Sequence, residues 1–199
     1  MEQAAGELGR EPDLVFLHNP EHSLRDDVLC GRDALTQACA ALDNAAAKGV
    51  CAAWGVTSWD PSSLLDVIDP TAPRPSVLMV RVGLLVGWGA LDAADAVIEA
   101  WNMDAGAVWG MSPFGGSARA PVWARVDPRV FLRDTGHLTR VQAAFRAAYH
   151  LPRVRAVAVG TNDPAHLGEL VDSLADEVEE GAVQEYRRLL RAHSRGQPV

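Results

Sequence analysis

Apolar residues fall along this chain in two alternating patterns. Short runs of strand length, at 13–18, 51–58, 76–82, 107–111 and 154–159, are separated by longer stretches in which apolar positions recur every three or four residues. The first longer stretch carries Leu35, Ala38, Cys39, Leu42 and Ala46 on one helical face and meets a stop at Gly49. Asp60-Pro61 then places a capping carboxylate before a proline, which predicts a short helix over 62–69, ended by Pro70. Further helices are predicted over 90–102, through Leu138, Val141, Phe145 and Tyr149, and through Leu167, Leu170, Val171, Leu174 and Val178. A closing helix carries Val183, Tyr186, Leu189 and Leu190, with a frayed tail over 191–199. The run at 76–82, rich in β-branched and long aliphatic residues, reads as a strand buried on both faces.

Strand followed by helix, repeated about five times, predicts a parallel α/β architecture in a single domain. Alternation alone leaves a doubly wound sheet and a (β/α) barrel both open. A complete eight-stranded barrel takes about 250 residues, so 199 residues imply a partial one.

Composition narrows the partners. A net charge of -8 argues against binding nucleic acid or an anionic membrane surface, since either needs a basic stripe to displace counterions. Small molecules and proteins are the expected partners. No apolar run reaches the roughly 20 residues that span a bilayer, and no basic segment followed by an apolar one opens the chain, so the expected location is cytoplasmic. The three cysteines, Cys30, Cys39 and Cys51, lack the paired spacing of a metal or redox site and read as reduced core thiols. No metal site emerges.

Candidate chemistry gathers at strand ends. Residues 13–17 run into His18, followed by Asn19-Pro20-Glu21, as a parallel barrel strand delivers a side chain to its active face. Period-two alternation places Phe16 with His18, and Met79 with Arg81, on common faces, making His18 a proton-transfer candidate and Arg81 an interior cation that needs an acidic partner or an anionic substrate. Asn19 and the strand-end tryptophans Trp59, Trp88 and Trp109 are candidates for contacting a planar substrate. Tyr149 and Tyr186 sit at helical spacing and read as core.

Several motifs resemble the aldo-keto reductases, in the order of that fold's fourth to eighth strands, from about Leu8 to about Glu180. The histidine strand resembles the fourth. Gly55-Val56-Thr57-Ser58-Trp59 is similar to the fifth-strand Gly-Val-Ser-Asn-Trp, with hydroxyls at Thr57 and Ser58 but no amide. Met79 stands where the family uses a glutamine. Ser112-Pro113-Phe114-Gly115-Gly116 resembles the seventh-strand Ser-Pro-Leu-Gly-Gly, and Gly160-Thr161-Asn162-Asp163-Pro164-Ala165-His166-Leu167 resembles Gly-Thr-x-x-Pro-x-His-Leu of the eighth.

The resemblance implies NADP(H) as a possible cofactor, with Thr57 and Ser58 toward the nicotinamide and Ser112, Phe114, Gly115, Gly160, Thr161, Asn162 and His166 toward the phosphates. It also implies a catalytic Asp, Tyr, Lys and His, of which only His18 has a counterpart; the other three belong to strands that would precede Met1. The expected function is therefore acid/base chemistry on a small molecule without redox turnover, such as elimination, cyclisation or isomerisation in specialised or natural-product metabolism, with His18 and Arg81 in the site. The alternatives are an NADP(H)-dependent carbonyl reductase half completed by a partner chain, and a non-catalytic subunit. Exposed parallel edges predict either a homo-oligomer, such as a dimer, or a partner supplying the missing strands.

Overall fold

The computed structural model describes residues 6–24, 28–134 and 136–196. Five strands, β1 (Leu14–His18), β2 (Ala53–Ser58), β3 (Val77–Arg81), β4 (Val108–Met111) and β5 (Ala156–Ala158), form one sheet in chain order. Parallel registers set His18 opposite Thr57, Ser58 opposite Val80, and Met111 opposite Ala158. A doubly wound sheet reverses its order at a switch point. No reversal occurs here, so the order is that of consecutive units of a (β/α) barrel.

The helices are α1 (Val28–Ala47), α2 (Ser62–Leu65), α3 (Trp88–Ala100), α4 (Val122–Arg125), α5 (Arg140–Ala148), α6 (Pro164–Asp172) and α7 (Glu180–Gly196). The chain divides into two compact units, Met1–Val80 with Ala93–Val108, and Arg81–Asp92 with Trp109–Val199.

In the first unit, α1 lies on β2 and buries Leu35, Cys39 and Leu42. Those are the positions its apolar periodicity predicts. The helix stops where Gly49 takes φ 70°. Trp54 is buried on β2 and donates from its indole nitrogen to Asp43 at 3.4 Å. Burial pushes the Cys39 thiol up to about 11. Cys30, by contrast, is exposed, which corrects its reading as a core thiol: it lies on the solvent side of α1, away from the Leu35 and Leu42 stripe.

The second unit has a core of Leu84, Leu91, Phe114, Phe131, Phe145, Leu151 and their neighbours. Aromatic rings meet there edge-on, Phe131 with Tyr186 at 5.4 Å and Phe145 with Tyr149 at 5.6 Å between centroids. The long excursion between β4 and α5 is held by Arg140, which donates to the carbonyls of Trp123 at 3.1 Å and Ala124 at 2.7 Å.

Three further expectations need correction. Strand β3 buries Leu78 and Val80 fully but Val77, Met79 and Arg81 only partly, so its second face is less completely covered than expected. Helix α6 ends at Asp172; Leu174 lies in a 3-10 turn, and Val178 pairs antiparallel with Leu132. Apolar spacing persisted across that break because both segments pack on the same core. Helix α2 stops at Leu65, well short of Pro70, with one turn beyond it closed by bonds from Val67 and Ile68 to the Leu64 carbonyl.

Gly55 marks the tightest strand contact in the first unit. A β-carbon there would stand 2.6 Å from the Val77 carbonyl oxygen and 2.7 Å from the Phe16 ring. Gly55→Ala is expected to lower unfolding free energy by about 1–3 kcal/mol through overpacking, read as a reduced urea midpoint. Gly168→Ala on exposed α6, where nothing lies within 4 Å, is expected to be neutral or stabilising in the same assay.

Candidate functional site

Each unit gathers polar groups where its strands end. In the first unit, Asn19 follows β1 in the left-handed region at φ 48°. Its backbone N–H donates to the Thr57 carbonyl at 2.9 Å and to Thr57 Oγ1 at 3.2 Å, and Thr57 Oγ1 lies 3.4 Å from Asn19 Oδ1. Two residues on, Glu21 is 1% exposed. Its Oε1 accepts from the N–H groups of Trp59 at 2.6 Å and Asp60 at 3.2 Å, while Oε2 is buried without a hydrogen-bond partner among the described residues. A buried carboxylate is costly unless donors compensate it, and here two backbone amides do so. Glu21 thereby ties the turn after β2 to the turn after β1.

From sequence, Glu21 could hydrogen-bond a substrate, with local loop bonding as the default explanation; its two long-range backbone partners were not foreseen. Its readable signal was an acid immediately after a strand-end His-Asn-Pro, where a parallel sheet turns toward its polar end. Asp60 stands one residue ahead of the N-cap Pro61 of α2, its Oδ1 accepting from Ser62 N at 3.3 Å and Ser62 Oγ at 2.8 Å.

Around this clamp, His18 is exposed at the end of β1, and Thr57 and Ser58 are buried on β2. The Ser58 hydroxyl has no hydrogen-bond partner among the described residues. Trp59 is 45% exposed.

The second unit holds a cleft of about 710 Å³, bounded by the loop after β4, the start of α5, and the loop from β5 into α6. The β4 loop is built from left-handed backbone: Ser112 at φ 55°, Gly115 at φ 63° and Gly116 at φ 109°. A β-carbon on Gly115 would strike Leu85 at 2.8 Å, whereas Gly116 has nothing within 4 Å and presents its backbone to the cleft. Opposite it, Thr161 Oγ1 accepts from Asp163 N at 3.2 Å, and Asp163 Oδ1 accepts from Ala165 N at 2.9 Å, capping α6. His166 sits one turn in, its Nε2 3.8 Å from Asp163 Oδ2.

Of the residues assigned to a cofactor by resemblance, Phe114, Gly160, Thr161 and His166 line this cleft together. Ser112, Gly115 and Asn162 stand on its loops without lining it. Arg119, Thr139, Gln142 and Glu169 line it without having been singled out. The Thr139-x-x-Gln142 spacing was a legible capping box, and both of its reciprocal bonds form. Arg119 carried no local signal. Glu169 brings a negative charge to the cleft that Arg119 also lines. Trp88 begins α3 with the Arg191 guanidinium 5.5 Å from its ring centre, and Trp109 and Arg81 are half-exposed on their strands.

Neither tyrosine is placed as a proton donor. Tyr186 donates to the Leu84 carbonyl, and burial raises its pKa. Tyr149 is likewise raised, by burial first, with a Val157 backbone bond and the nearby Arg146 opposing. Lys48, the single lysine, is exposed just beyond α1. Among the described residues no group of three or more His, Cys, Asp or Glu could hold a metal, and no helix is long and apolar enough to cross a membrane.

Solved structures share this architecture. An aldo-keto reductase from Brucella melitensis superposes with a TM-score of 0.64 at 15% identity, covering 94% of this chain and 65% of that one. The holo form of an aldo-keto reductase from Bacillus halodurans gives 0.65 at 15% identity, covering 95% and 63%. One from Klebsiella pneumoniae in complex with NADPH gives 0.64 at 16% identity, covering 95% and 62%. No family model and no curated protein matches the sequence. The chain therefore has an aldo-keto-reductase-like fold and spans less than two thirds of the length of those proteins.

Two outcomes are expected. Glu21→Ala leaves the Trp59 and Asp60 amides without their acceptor and lowers stability by about 1–3 kcal/mol in urea unfolding, whereas Glu21→Gln, which keeps a carbonyl oxygen, loses less. In alkaline spectrophotometric titration, phenolate forms in the folded chain only above the ordinary value of 10.0, because burial raises both tyrosines. Neutral phenols are what the fold stabilises, so that contribution is complete below pH 10 and is lost as pH rises through the folded values. A phenol ionising near neutrality would contradict this assignment.

Proposed function

We propose that this chain is an aldo-keto-reductase-like small-molecule protein that binds NADP(H) through its second unit and does not reduce carbonyls alone. The observation that carries this reading is the cleft between the β4 loop and the start of α6. Four residues expected from resemblance to face cofactor phosphates meet there, on a loop whose glycine leaves its backbone open. The donor set suits a phosphorylated nucleotide: backbone at Gly116 and Gly160, the Thr161 hydroxyl, Arg119, and His166 one turn into a nine-residue helix. Phe114 and Val141 supply apolar wall, and Glu169 sets a limit on how much negative charge that side tolerates. The neighbour from Klebsiella pneumoniae, solved with NADPH, supports the same assignment.

When bound, the coenzyme supplies hydride equivalents. This chain's own residues bind and orient. Protonating an alkoxide needs an acid near the transferred hydride, and both tyrosines are packed in the second unit's core with raised pKa values. In this reading the proton donor for carbonyl reduction comes from outside the described residues, as from a partner chain. A second reading, acid/base chemistry without redox turnover in specialised metabolism, is favoured by the exposed imidazole of His18 at the strand end above the Glu21 clamp. In that reading His18 transfers the proton, with Asn19 and Trp59 of the same unit in contact with the substrate.

Titration of the purified chain with NADPH, followed by coenzyme fluorescence, is expected to show saturable binding without oxidation in the presence of aldehydes or ketones. Arg119→Glu should weaken binding about tenfold, the loss of one charge-assisted hydrogen bond. Absence of binding would remove the nucleotide reading and leave the His18 reading. Turnover by the chain alone would show that it possesses a proton donor of its own.

A further inference from the structure

At the amino end of β5, away from the nucleotide cleft at its carboxyl end, the second unit holds a smaller cavity of about 280 Å³. The end of α5 contributes Arg146, Tyr149 and His150, and the segment entering β5 contributes Arg153 and Arg155, with Val154 and Leu174 as apolar flank. Three guanidinium groups and an imidazole line it, and no carboxylate does.

The neutralisation of these cations is uneven. Arg153 donates to Glu180 Oε1 at 2.6 Å, and the same oxygen lies 3.2 Å from His150 Nδ1. Glu180 is therefore spoken for. Arg146 is half-buried; its hydrogen bonds go to the Asp176 carbonyl at 2.8 Å and His150 Nε2 at 3.3 Å, and the Asp176 and Glu180 carboxylates attract it only from beyond ion-pair distance. Asp176 directs its carboxylate to His137, at 3.1 Å. Arg155 is exposed, and among the described residues no carboxylate lies within ion-pair distance of Arg146 or Arg155. The end of a helix attracts cations through its exposed carbonyls, which accounts for one basic residue near the end of α5. It does not account for a half-buried guanidinium facing a cavity with a second unpaired one across the turn.

We infer that this cavity is a binding site for a small phosphate-type oxyanion, with Arg146 and Arg155 as its donors and Arg153 shared between the ligand and Glu180. Guanidinium groups match the paired oxygens of such an anion. The volume falls below the range of about 300–1,000 Å³ typical of pockets for drug-sized ligands, so the ligand is inorganic phosphate or a compact phosphate monoester, not a dinucleotide. Val154, Leu174 and the Tyr149 ring give a monoester's carbon part an apolar seat. The inference is independent of the nucleotide reading, since the two clefts share no lining residue.

The test is calorimetric titration of the full chain with orthophosphate and with glycerol phosphate at low ionic strength, against sodium chloride of matched ionic strength. Binding is expected for the wild type and weakened at least about tenfold by Arg155→Glu, whereas Arg119→Glu removes only what the nucleotide cleft contributes. Arg155 is exposed, so this variant keeps the fold; Arg146→Gln serves as the second variant, with its circular dichroism checked. Tighter binding of glycerol phosphate assigns an organic monoester, and tighter binding of orthophosphate assigns the free ion. The proposal is overturned if neither anion binds beyond the chloride control, or if binding is lost with Arg119→Glu and kept with Arg155→Glu.

Discussion

Parallel pairing is the constraint from which the rest of this structure follows. A parallel strand cannot be joined to the next by a tight turn, so each is followed by a crossover, and the loops that begin those crossovers carry unpaired backbone amides. Something must accept from them. In the first unit the acceptor is a side chain taken out of water, Glu21, which collects the Trp59 and Asp60 amides on one oxygen. In the second unit Asp163 and Thr161 do the same work for the entry to α6, and Thr139 with Gln142 for the entry to α5. The polar residues that define the candidate sites are thus largely the residues that make those turns possible.

How much of this was legible in the residues depended on whether a signal was local. Strand and helix alternation, the Gly49 stop, the Asp60 contact with the start of α2, the Asp163 cap and the loop glycines were readable because each acts within a few positions of itself. The motifs around His18, Ser112 and Gly160 carried the fold resemblance that superposition bears out. Non-local facts were not readable. The break of α6 at Asp172 is decided by where Val178 meets Leu132, across 46 positions of sequence. Cys30 and Cys39 look alike along α1, and only the side of the helix that meets β2 distinguishes them. Glu21 resembled any loop acid until its partners, 38 and 39 positions away, were in place.

The candidate nucleotide cleft joins both kinds of signal. Glycines and a helix cap announced two of its walls, whereas Arg119 and Glu169 arrive from segments whose sequence says nothing of a ligand. Their opposite charges line the same cleft, so under the proposed nucleotide reading the balance of charge there is set by the least legible residues.

Every side chain lining that cleft belongs to the second unit, as do the core aromatics beneath it. Phe114 connects the two roles: it lines the cleft while packing on Trp123 at 6.4 Å and Phe145 at 6.3 Å. The β4 loop is consequently held by the core of its own unit, and its shape does not require strands from elsewhere. A proton donor is different in kind, because it must be delivered to one reacting atom by a particular strand end. Under the proposed reading, nucleotide recognition and proton donation are separable, because the first is a property of packed loops and the second of a single placed acid.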